Sequence, residues 1–293
     1  MNVRTLLAAA AMSVGFVSFA AADITGKVKL DGKAPDAKEI DMSGVAECKA
    51  AHTDPVYEEH VVADDSGNLA NVVVYIKADD PAALGGEIPK EAAVLDQKGC
   101  MYEPHVLAMM VGQELKVKND DPFLHNVHSL AQTNPAFNFG QPNKDPGKPV
   151  DPPKAAENIK IKCDVHPWMS AYIIVLEHPF FGVSKEDGTF TIKGNPPDGD
   201  YTLNAWHETL GTQEAKVTVK DGKAEVAEPI TFKAQGAAAP AQDNGVRLAS
   251  LETAAKKSSG ECACCTDKAS AVSKLAEAPA APAAPAQTAA AAK

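Results

Sequence analysis

From residue 24 to residue 232 the chain is cut into short apolar or alternating runs, each closed by turn-forming residues. Ile24 to Leu30 alternates and stops at Asp31-Gly32, and the β-branched run Ala70 to Ile76 follows Asp65-Ser66-Gly67. Val106 to Val111 and Glu114 to Lys118 flank Gly112-Gln113, and the alternating Ile159 to Cys163 is matched by the apolar Ala171 to Leu176. Asp187 to Ile192 and Asp200 to Trp206 are joined by Gly194 to Gly199, and Glu214 to Val219 and Glu225 to Phe232 follow. A period of two turns alternate side chains into a core, whereas a helix needs a period near 3.6. No helical heptad or repeat interrupts these runs, so the expected fold class is all-β. Asp79 to Lys90 and Gln132 to Asn158, the latter holding six prolines, are expected to be loops.

The ends differ from this middle. Arg4, the short apolar run Leu6 to Ala20 and the small residues Ala20-Ala21-Ala22 make residues 1–22 an expected signal peptide, which places the mature protein in the periplasm. No later run is apolar enough to span a bilayer, so no membrane span is expected. Residues 236–293 are rich in alanine and proline and poor in large apolar residues, the composition of a disordered tail, and they carry Cys262, Cys264 and Cys265. That cysteine cluster suits either a soft metal or intermolecular disulfides. The formal net charge of −11 opposes nucleic acid and anionic membranes as partners.

The chemistry concentrates in Cys163-Asp-Val-His166-Pro-Trp-Met169, between two expected antiparallel strands. A thiolate, an imidazole and a thioether on one short loop are soft or borderline ligands, and with one more histidine they suit copper in both oxidation states. The stretch Leu124-His125-Asn126-Val127-His128 offers two candidates for that histidine. Methionine argues against zinc, and the absence of a second cysteine in the loop argues against a dinuclear centre. No His-x-His pair, Gly-x-Ser-x-Gly, HExxH or phosphate loop is found, so no enzymatic activity is expected.

The loop and the His-Asn pair resemble those of cupredoxins, the blue copper proteins, and the Cys-x-x-His-x-x-Met spacing with proline after histidine is most similar to amicyanin. The resemblance implies a Greek-key β-sandwich and one type 1 copper held by His125, Cys163, His166 and Met169. It further implies that Asn126 tethers the ligand loop and acts on the Cys163 sulfur. His166 would be the ligand whose ring edge reaches solvent, with Pro167 and Trp168 forming the rim where a partner docks. The implied function is single-electron transport with a redox protein partner, a cytochrome or a dehydrogenase. Copper storage or delivery, and a carbohydrate- or protein-binding module, are the alternatives.

Residues 24–234 also resemble periplasmic proteins described as methylamine-utilisation or plastocyanin-like, through Leu69 to Tyr75, Cys100 to Val106 and Ala205 to Glu208. Residues 23–90 and 177–235 resemble a split transthyretin-like or carboxypeptidase-regulatory sandwich, with the cupredoxin at 91–176 inserted between its strands. Two sequential domains and a single enlarged sandwich stay open at this stage. In an oxidising compartment Cys48 and Cys100 are expected to form a disulfide. The alternative is a second metal site using Cys100, His105 and either His52 or His128. His60, His178 and His207 show no ligand-like sequence neighbours.

Overall fold

The computed structural model describes residues 23–194, 196–221 and 223–234; the expected signal peptide and the cysteine-bearing tail lie outside the described residues. In chain order, β1 (Ile24–Asp31) precedes the short helix α1 (Ala46–Ala50) and β2 (Val73–Lys77). Nine strands follow: β3 (Ala93–Lys98), β4 (Met101–Glu103), β5 (Val106–Met110), β6 (Leu115–Asn119), β7 (His125–Ser129), β8 (Asn138–Gln141), β9 (Asp145–Val150), β10 (Glu157–Lys162) and β11 (Ser170–Leu176). The chain then returns through β12 (Phe181–Val183), β13 (Thr189–Ile192), β14 (Gly199–His207), β15 (Gly211–Val219), β16 (Ala224–Glu225) and β17 (Ile230–Lys233). The protein is all-β.

The nine central strands form two sheets, in the orders β5-β11-β10-β7-β8 and β4-β3-β6-β9. β3 runs parallel to β6 and β5 parallel to β11, while the other pairs are antiparallel, which gives a cupredoxin-like Greek-key sandwich. Its core is filled by inward residues such as Leu95, Tyr102, Val117, Val127, Ile161 and Ile173. The flanking strands make two further sheets, β13-β1-β16 with β17 also on β1, and β12-β2-β14-β15. Between them lies a second core that includes Val28, Leu69, Val74, Phe190, Leu203 and Phe232.

The alternation along β2 explains how the two cores join. Val74 and Ile76 enter the flanking core, while Val73 and Tyr75 pack with Val106, Ile174 and Leu176 of the central sandwich. A strand buried on both faces must be apolar throughout, which accounts for the unbroken run at residues 72 to 76.

Two expectations need correction. The expected loop at 132–158 contains β8 and β9, and β9 includes Pro146 and Pro149. β9 pairs on one side only, with β6, so prolines without an N–H are tolerated at that sheet edge. The expected strand Glu225 to Phe232 is split into β16 and β17, both parallel to β1, with Glu228-Pro229 between them.

Candidate metal centre

β10 leads into the Cys163–Met169 loop and β11 leads out. Two backbone bonds close the turn, Cys163 N–H donating to Met169 O at 3.2 Å and Met169 N–H donating to His166 O at 3.0 Å. β7 lies beside β10, with Lys162 opposite His128. Side chains alternate along β7, so His125 faces the interior and His128 the other face.

The consequence is a sorting of the candidates. His125 Nδ1 lies 3.0 Å from His166 Nδ1, and His166 Nδ1 lies 3.8 Å from Cys163 Sγ. One donor atom each from His125, Cys163 and His166 falls within 4.8 Å of the others, and all three residues are buried. Met169 is buried in the same core, 1% exposed. His128 instead pairs with the Asp164 carboxylate at 3.0 Å. Asn126 Oδ1 accepts the Asp164 N–H at 3.1 Å, and its amide donates to Phe139 O and Asn138 Oδ1, tying the ligand loop to β8.

Asp121 sets the chemistry of His125, and the sequence reading missed it. Its Oδ2 accepts the Nε2–H of His125 at 2.8 Å. Its two oxygens also accept the backbone N–H groups of Gly99 and Cys100, each at 2.9 Å. With Nε2 protonated, Nδ1 of His125 is a bare lone pair aimed at the other imidazole. Burial holds His125 below its ordinary range, against the pull of Asp121, and burial also lowers His166, with the neighbouring His125 adding to it. A proton on His166 Nδ1 donated to that His125 lone pair satisfies the pair in the absence of an ion, and two imidazoles with a cysteine sulfur in one buried cluster are equally a ligand set. A soft or borderline cation fits this donor set. The available signal was an acid four residues before the histidine, but its partners across β3–β4 are tertiary.

The expected solvent-facing edge of His166 is not found, because His166 is only 2% exposed. Cys48 and Cys100 form a disulfide, and their sulfurs lie within 4.8 Å of a His166 ring nitrogen. The indole of Trp168 packs on the His166 ring, centroids 5.4 Å apart, and its Nε1–H donates to Cys100 O at 3.1 Å. The Cys48–Cys100 bridge therefore covers one side of His166, with Cys48 carried by α1 and with Ile40 and Met42 packed into the same core. Pro167 is exposed and Trp168 half-buried.

The alternative second site fails for a covalent reason, since Cys100 is spent in the disulfide. His52 Nε2 lies 2.6 Å from Gly99 O, and His105 faces Glu208. Contrary to the sequence expectation, His60 also has a carboxylate partner, again Glu208. His178 and His207 are buried in hydrogen-bonded structural roles.

No protein-family model matches this chain, and no curated protein matches it. Among solved structures it is similar to the copper-containing nitrite reductase NirK from Thermus scotoductus SA-01, at 22% identity and a TM-score of 0.26, over 33% of this chain. The chain spans about a quarter of the length of that reductase (25%). It is also similar to a reduced Cu(I) form of an amicyanin mutant, at 25% identity and TM-score 0.26, over 35% of this chain and 98% of amicyanin. A purple cupredoxin from Nitrosopumilus maritimus is matched at 22% identity and TM-score 0.24, over 29% of this chain and 99% of that one.

Proposed function

We propose that this chain is an exported, periplasmic protein that holds one type 1 copper ion and carries single electrons between redox proteins. The observation that supports the reading best is the convergence of His125 Nδ1, His166 Nδ1 and Cys163 Sγ, with Asp121 holding the proton on the far side of His125. Met169, at the end of the same loop, supplies the fourth and weaker donor. Bound there, copper supplies a one-electron couple that a thiolate, two imidazoles and a thioether support in both oxidation states.

The protein's part is to keep those donors still. His125 sits on a strand paired on both sides, and the loop is closed by its own backbone bonds and by Asn126. A site that changes little between oxidation states exchanges electrons with little reorganisation, and burial excludes water that would otherwise become a ligand. Pro167 and Trp168 bring the loop nearest to a docking partner, a cytochrome or a dehydrogenase.

The test is optical. Protein loaded with Cu(II) is expected to show an intense visible band from thiolate-to-copper charge transfer, and Cys163→Ala to abolish it while the far-ultraviolet β signature stays. A colourless wild-type copper complex refutes the reading.

A further inference from the structure

No candidate donor reaches the surface by itself: His125, Cys163, His166 and Met169 are each no more than 3% exposed. Electron exchange between proteins falls off steeply with distance. The group lying between the donors and solvent therefore decides where a partner must stand. Among the described residues three groups come close to the His166 ring. The Cys48–Cys100 sulfurs lie within 4.8 Å of a ring nitrogen, and the His125 ring lies 4.8 Å away between centroids. Both are fully buried. The third is the indole of Trp168, 5.4 Å away between centroids, and it alone of the three is half-buried and lines a cavity.

Trp168 is also held still. Its Nε1–H donates to Cys100 O at 3.1 Å, and the Cys100 N–H is in turn accepted by Asp121, the carboxylate that holds His125. One turn thus ties the indole to the group that orients the other imidazole. A buried tryptophan N–H finds a partner in any core. Packing alone does not require the same ring to lie against a candidate ligand and to line a cavity of about 350 Å³. Leu130, 41% exposed, and the exposed Pro167 border that cavity and give it an apolar rim. Its charges are of both signs, Glu58 and Glu59 with Lys160 and Lys162, so apolar contact at the rim favours docking more than a one-signed field does.

We propose that Trp168 is the electron port of this site: an electron passing to or from a protein partner crosses the indole, not the His166 ring edge. The proposal rests on the copper reading above and adds the route. The step moves one electron from a reduced centre in the partner to Cu(II), with no bond made or broken and no proton moved. Met169 lines the same cavity but is 1% exposed, and a saturated thioether chain carries an electron less readily than a π-system packed on an imidazole.

Reduced cytochrome c is the probe donor, because a protein is too large to enter the cavity and must use its rim. Trp168→Leu loaded with Cu(II) is expected to keep the thiolate band. It should be reduced at least about tenfold more slowly than wild type, since a step between fixed groups is sensitive to ångström changes in their placement. Trp168→Phe keeps a ring and is the milder substitution for folding; it is expected to be slowed as well, but less. Trp206→Phe, at the other of the chain's two tryptophans, is the control and should leave the rate unchanged. With Trp168 then the only tryptophan, acrylamide should quench the fluorescence of that variant's apoprotein. An unchanged rate in Trp168→Leu with its band intact overturns the port, as does an unchanged rate in Trp168→Phe where the leucine variant fails to fold. Emission that acrylamide leaves untouched overturns it without any metal. A wild-type copper complex with no band refutes the copper reading, and the port with it.

Discussion

Asp121→Asn removes one charge and one acceptor oxygen while keeping the shape of the side chain, so it isolates what the carboxylate does. The native Asp121, 7% exposed, receives three hydrogen bonds, from Gly99 N, Cys100 N and His125 Nε2. Asparagine keeps one oxygen and turns an NH₂ toward at least one of these donors. One or two bonds to a charged group are lost, each worth about 1.5–3 kcal/mol, so a loss of about 3 kcal/mol is expected in the apoprotein. Gly99 and Cys100, at φ of +59° and +58°, form the β3–β4 turn, so their tether to His125 would loosen at the same time. Where the remaining oxygen is taken by the backbone, the His125 proton is free to move to Nδ1, and copper affinity should fall about tenfold to a hundredfold. Urea unfolding of the apoprotein and competition with a Cu(I) chelator measure the two effects. Asp120→Asn, at a neighbouring position whose carboxylate meets Lys118 in solvent, is the control and should do far less to both. A stability change under about 1 kcal/mol with copper affinity intact would refute the assignment of Asp121 as the group that orients His125.

Replacing both Cys48 and Cys100 by alanine should cost about 4 kcal/mol on the chain-entropy account of a 52-residue separation, read from urea midpoints. The same double variant should speed reduction of the bound copper by a small anionic or neutral reductant, because the roof over His166 is released; an unchanged rate would count against that roof. Stability should also fall toward acid pH. Burial pushes His207 down to about 4 from its ordinary 6.5, so the unfolded chain binds the extra proton first and stability declines as pH drops from about 6.5 to 4. Burial works against the ionised Glu208, but hydrogen bonds from His105 and His60 outweigh it and hold the carboxyl at about 2, so its contribution fades as pH falls from about 4.5 to 2. His60 is raised, chiefly by its hydrogen bond to Glu208, and its contribution fades in the opposite direction, as pH climbs past 6.5; half exposed, it offsets only a little. An unfolding free energy flat from pH 7 to 4 would contradict this account.

Much of the fold was legible because strand periodicity is local. The alternation of Ile159 to Cys163 and the apolar Ala171 to Leu176 marked β10 and β11, and both are six or seven residues long in the structure. β8 and β9 were not legible, because a short edge strand between prolines (β8) or carrying them (β9) looks like a loop until its single partner is known. The candidate loop could be singled out because Cys163, His166 and Met169 are close in sequence. The pairing of Cys48 with Cys100 was anticipated from the oxidising compartment, but that the bridge closes over His166 was not.

The sequence by itself determined the all-β class, the Cys163-x-x-His166-x-x-Met169 loop and the nearby choice between His125 and His128. Period-two patterning and short-range ligand spacing are properties of neighbouring residues, so they survive in one dimension. Only the tertiary structure decided that His125 faces inward, that Asp121 holds its proton, that the Cys48–Cys100 bridge lies against His166, and that His60, His105 and Glu208 meet. Each of these depends on which strand faces which across two sandwiches. Glu208 is separated from His60 by 148 residues and from His105 by 103, and no local pattern records a contact of that range.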